Sequence, residues 1–105
     1  MSVRRLQEEA HRIAVEHGWW DEPRSAGEAL MLVVTELAEA MEALRVESQP
    51  SEAIPDFSKV EEELADAVIR ILDFAGGQGL DLGGALEAKM RFNELRPYRH
   101  GGKRA

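Results

Sequence analysis

The stretch from Ser25 to about Val46 carries more apolar surface than one helix face can hold. Leu30, Val33, Val34, Leu37, Met41 and Leu44 recur at helical spacing and make one face. Leu32, Ala40 and Ala43 widen that surface past a single stripe, so the helix must be covered on more than one side. With 105 residues the chain is expected to form one domain, and so short a chain buries a limited fraction of its surface. We therefore expect an all-α fold, a four-helix bundle-like chain that assembles into a helical dimer or tetramer.

Three further segments share the helical period. Residues 3 to 17 place Val3, Leu6, Ala10, Ile13, Ala14 and His17 in register, with Ser2 as the cap and Gly18 as the stop. Ser25 with Glu28 and Ser58 with Glu61 read as capping boxes that open the second and third helices. The third carries Val60, Leu64, Val68, Ile71, Leu72 and Ala75, and Gly76 and Gly77 are expected to end it. Asp81 caps a fourth helix, about 82 to 95, with Leu82, Ala85, Leu86, Met90 and Leu95 as core positions and Pro97 beyond it. No repeat, no alternating strand pattern and no domain-dividing linker is present. The reading is a single helical domain over 1–105, with 97–105 as a flexible basic tail.

Composition narrows the chemistry. Without cysteine there is no disulfide and no thiolate metal site, so a metal would be held by carboxylate, imidazole or carbonyl groups, a set that suits Mg²⁺ or Mn²⁺. There is no signal peptide and no apolar run of membrane length, so the cytoplasm is the expected compartment and no membrane partner is expected. The net charge of −7 is uneven: residues 89–105 carry +5 and the rest −12. An acidic body argues against nucleic acid as a partner. A basic tail on it suits a bound anion beside a metal.

Glu36 has Val33, Leu32 and Ala40 as its helical neighbours, and Glu39 projects from the same side three residues on. Glu63 and Asp66 repeat the arrangement on the third helix. Two helices joined by a short connection pack antiparallel, which would bring the four carboxylates together. Their repulsion in a partly dry site would be relieved by a divalent cation. The plainer alternative is a pair of solvated acidic faces, as the run "VEEELAD" would suit.

On the fourth helix Lys89, Asn93 and Arg96 fall at i, i+4 and i+7, a stripe able to grip phosphate oxygens. Taken alone it reads equally as cations placed to complement a helix C-terminus. Trp19 and Trp20 are adjacent in a loop, so one can plug the bundle end while the other offers a stacking face for a base. Glu8 and His11 make an ExxH of the kind found in di-iron bundles, but no second one exists, and His11 is expected at the surface or an interface.

The ExxE of Glu36 and Glu39, a 23-residue gap, the ExxD of Glu63 and Asp66, and the ending K-x-x-x-N-x-x-R-P-Y-R-H-G together resemble the MazG-like nucleotide pyrophosphohydrolases, the all-α NTP pyrophosphatases. The resemblance spans "HGWWDEPRSAGEALMLVVTELAEAMEAL", "KVEEELADAVIRILDFAGGQGLDL" and "KMRFNELRPYRHGGK". It implies Mg²⁺-dependent hydrolysis of a nucleoside triphosphate to the monophosphate and pyrophosphate, in a homodimer or homotetramer. By the same resemblance Glu36, Glu39, Glu63 and Asp66 would hold the metal. Lys89, Asn93 and Arg96, with Tyr98, His100 and Lys103, would hold the triphosphate, and Trp19 or Trp20 would lie near the base or sugar. Many family members carry a further Glu just before the first motif residue, where this chain has Thr35. That departure keeps a non-catalytic helical module, binding a nucleotide or a protein, as the alternative.

Overall fold

The computed structural model describes residues 1–46 and 49–97. Four helices follow one another: α1 (Val3–Glu16), α2 (Ala26–Arg45), α3 (Lys59–Gly77) and α4 (Leu82–Glu94). Among the described residues there is no strand, only an isolated bridge between Pro50 and Ser58. Each helix opens on the residue its sequence nominates. Ser2, Ser25 and Ser58 accept from the backbone N–H of Arg5, Glu28 and Glu61, and Asp81 from that of Gly84. Only Ser58 completes the reciprocal box, with Glu61 accepting from its N–H at 2.9 Å. At Ser25 the hydroxyl donates to the Glu28 carboxylate instead.

The chain is organised around α3, which carries α2 along one side and α1 along another. The α2–α3 pair is antiparallel, since Glu36 meets Arg70 while Glu39, further along α2, meets Glu63, further back on α3. The side chains buried on α2 are Val33, Glu36, Ala40 and Ala43. Of the expected main apolar face only Val33 is buried within the chain, together with Ala40 and Ala43 of the widened surface. Leu30, Val34, Leu37, Met41 and Leu44 are exposed, Met41 by 64%. The face turned to α3 is the one of small residues and a carboxylate, because short side chains let two helix axes come close.

Helix α4 differs from expectation too. It rests chiefly on α1, with Arg4 near Asp81 at 3.7 Å and the Gln7 amide donating to the Leu80 carbonyl at 2.9 Å. None of its residues is buried: Leu82 is half-buried, and Ala85, Leu86, Met90 and Leu95 face outward. No helix among the described residues is long and apolar enough to cross a membrane.

Gly76 and Gly77 form the last two positions of α3, as expected of a helix end. The helix closes at Gln78, followed by Gly79 at φ 68°, where a side chain would be strained. The two glycines also allow close approach. A Cβ on Gly76 would press on the His11 side chain, and one on Gly77 would run into the Trp20 indole. Helix propensity alone would make Gly77→Ala stabilising by about 1 kcal/mol. Collision with a rigid ring costs about 3 kcal/mol, so we expect a net loss of about 2 kcal/mol in denaturant unfolding, with Trp emission altered in the native state.

Candidate metal centre and the adjoining pocket

The antiparallel register brings the sequence-predicted acids together. Carboxylate oxygens of Glu36, Glu39 and Glu63 lie within 4.8 Å of one another, and so do those of Glu62, Glu63 and Asp66, with Glu63 common to both groups. Glu36 and Glu63 are only 8% and 4% exposed, whereas Glu39 faces outward and Asp66 is half-buried. Water therefore has one side of the cluster and protein the other.

Two cations that the sequence reading did not single out border the cluster. Lys59 Nζ lies 2.9 Å from Glu63 Oε1 and 3.4 Å from Glu62 Oε1. Arg70 Nε donates to Glu36 Oε1 at 2.8 Å. Glu62 is further engaged by the hydroxyl of buried Ser51, at 2.6 Å, which holds its carboxyl below the usual range. Among the described residues, five carboxylates against two cations leave a formal excess of three negative charges.

That excess is visible in the titration behaviour. A hydrogen bond shared with Glu63, and then the charges of Glu36 and Glu63, hold the Glu39 carboxyl above the ordinary range. Burial, and then Glu36, Glu63 and Glu62, push Asp66 up. With both partners ionised, Glu63 Oε2 is buried and has no hydrogen-bond donor among the described residues. An ionised oxygen in that position costs free energy unless a cation meets it. The donor set, all carboxylate oxygens with one orphaned inside, fits a hard divalent ion such as Mg²⁺. Thr35 takes no part, since its hydroxyl donates to the Met31 carbonyl one turn back.

The tryptophans divide their work. Trp20 lies on Gly77, donates from Nε1 to Asp73 Oδ1 at 2.8 Å and meets the His11 ring edge-on. His11 Nδ1 is 2.9 Å from the same oxygen, so half-exposed His11 has a specific partner in Asp73. Trp19 lies under the Arg70 guanidinium, 4.9 Å from the ring centroid. Trp19, Arg24, Leu32 and Arg70 line a pocket that reaches Asp73 and Phe74 on α3. Arg70 thus touches both the acidic cluster and this pocket. Its only sequence signal is its place one turn after Asp66, with Asp73 three residues further along the same stripe.

The fourth helix is carried by α1, so the stripe of Lys89, Asn93 and Arg96 is exposed and is not assembled with the carboxylates within one chain. Lys89 and Arg96 lie over the Phe92 ring at 4.5 and 5.2 Å. Tyr98, His100 and Lys103 lie outside the described residues. Compared with protein-family models, curated proteins and solved structures, the chain matches none.

Proposed function

We propose that the chain is a MazG-like nucleotide pyrophosphohydrolase. In this reading it hydrolyses nucleoside triphosphates, deoxynucleotides foremost, between the α and β phosphates, in a house-cleaning role. The single observation that carries the reading is Glu63, common to both carboxylate groups, with its buried Oε2 lacking a partner among the described residues. Glu36, Glu39, Glu63 and Asp66 would hold Mg²⁺, with Mn²⁺ as a substitute, and the ion would neutralise charge on the phosphoryl oxygens. Lys89, Asn93 and Arg96, together with Tyr98, His100 and Lys103, would grip the triphosphate and stabilise charge building on the leaving pyrophosphate. Trp19, which is exposed enough to stack, would take the base.

A homodimer or homotetramer belongs to this reading. Exposed Leu30, Val34, Leu37, Met41 and Leu44 step by four, three, four and three along α2, the spacing of a helix seam. In this reading a partner copy covers that seam and supplies the phosphate-gripping stripe of α4, which one chain does not bring to the cluster. Leu37→Glu puts a charge in the middle of the seam, and we expect it to shift the particle to a monomer in light scattering.

A non-catalytic nucleotide-binding or protein-binding module is the second reading. It is favoured by Thr35, whose hydroxyl is spent on Met31. Pyrophosphate release from a panel of dNTPs and NTPs, with Mg²⁺ and with EDTA, separates the two. Metal-dependent monophosphate and pyrophosphate are expected. No release from any nucleotide by folded protein would decide for the binding module.

A further inference from the structure

Among the described residues Arg70 touches both the carboxylate cluster and the Trp19 pocket. Its Nε is committed to Glu36 Oε1, and its guanidinium covers the Trp19 ring. A guanidinium over an indole occupies one π face of the ring, here the face shared with the Arg70-lined pocket, and a base stacking on that face would have to displace it. The residue is three-quarters buried at its side chain, and Glu36 more deeply still, so the pair is held in a restricted environment. Arg24 is the other cation lining the pocket.

We propose that Arg70 is a positioning residue that makes base binding depend on the metal. Glu36 holds Arg70 across Trp19. A divalent cation that takes the Glu36 carboxylate competes with the guanidinium for the same negative charge. Once released, Arg70 uncovers the indole and adds its charge to that of Arg24 at the pocket, where a nucleotide is the anion. Order follows from this arrangement: the metal comes first and the base second. The inference rests on the metal-site reading above and adds a linkage between two places that reading treats separately.

The test uses Mg²⁺ alone, without nucleotide, on the full chain. Calorimetry reads binding, and tryptophan emission reads the Trp19 environment. In the wild type, emission is expected to change saturably and in parallel with the heat, and Trp19→Phe removes the change. Arg70→Gln deletes the competitor, so Mg²⁺ should bind about tenfold more tightly, the scale of one charge-assisted hydrogen bond, with no accompanying emission change. Arg70→Lys keeps the charge but not the planar stack. It should bind Mg²⁺ with intermediate affinity and also lack the emission change, and it serves if the Gln variant fails to fold. Mg²⁺ binding with unchanged wild-type emission would overturn the linkage while leaving the metal site standing. Wild-type affinity in Arg70→Gln would do the same, because Glu36 would then be using its other oxygen. No Mg²⁺ binding by the wild type would overturn the metal site itself and the linkage with it.

Discussion

Glu39→Gln is expected to lower metal-dependent turnover by about a thousandfold and, at the same time, to stabilise the metal-free protein. The two effects have one cause. Among the described residues Glu39 makes no ion pair, and its carboxyl is held above the ordinary range by Glu63 and Glu36. Its ionisation therefore opposes folding. For a carboxyl raised in the folded state, the stabilising contribution is complete below the unfolded value of 4.5 and is lost as pH rises through the higher folded value. The stability of Glu39→Gln minus that of the wild type should thus grow with pH over that window and level off at neutrality. Asp66 has the same sign in both proteins. Glu9, Glu61 and Glu62, held low, have the opposite sign in both, so all four largely cancel from the difference. Added Mg²⁺ should reverse the ranking. At a hundred times its dissociation constant a ligand of the native state stabilises by about 2.7 kcal/mol, and the variant should gain little of this. Thermal melts at several pH values, with Mg²⁺ and with EDTA, check both halves. An ordinary solvated acid would show neither the pH-dependent difference nor the reversal.

The helices were legible in the sequence because their ends are written locally: Ser2, Ser25, Ser58 and Asp81 each cap within three residues. The convergence of Glu36, Glu39 and Glu63 was legible too, because i, i+3 spacing and an antiparallel turn are enough to place them. What covers the leucine side of α2 was not. A hydrophobic pattern says which residues avoid water in the final assembly, and it does not say whether α3 or another molecule covers them. In the chain itself α3 takes the small-residue face and leaves the leucines outside. The glycine pair does end α3, but its second role was hidden for a related reason. A helix stop and a close approach both require the absence of Cβ, and only the position of Trp20 against Gly77 reveals the second. Arg70 and Asp73 were invisible because their meaning lies in partners 34 to 62 residues away, Glu36, Trp20 and His11.

Asp73→Ala is expected to cost about 3 kcal/mol of stability, whereas Asp73→Asn should cost about 1 kcal/mol. Asp73 is 6% exposed, and one of its oxygens, Oδ1, accepts from both Trp20 Nε1 and His11 Nδ1. That oxygen ties the Trp loop and α1 to α3 at a single point. Alanine removes it and leaves an indole N–H and an imidazole N–H part-buried without an acceptor, the expensive way to lose a hydrogen bond. Asparagine keeps a carbonyl oxygen with two lone pairs at the same place, so both donors can still be met and only the charge is lost. If the negative charge were what mattered, the two variants would fall together. If the shared acceptor matters, they separate by about 2 kcal/mol. Urea unfolding of both, with Trp20→Phe as the third corner and each double variant as the fourth, gives the coupling directly. In the Trp20→Phe background one of the two donors is gone, so the penalty of Asp73→Ala should fall by about half. A full penalty there would mean that Asp73 acts through His11 alone.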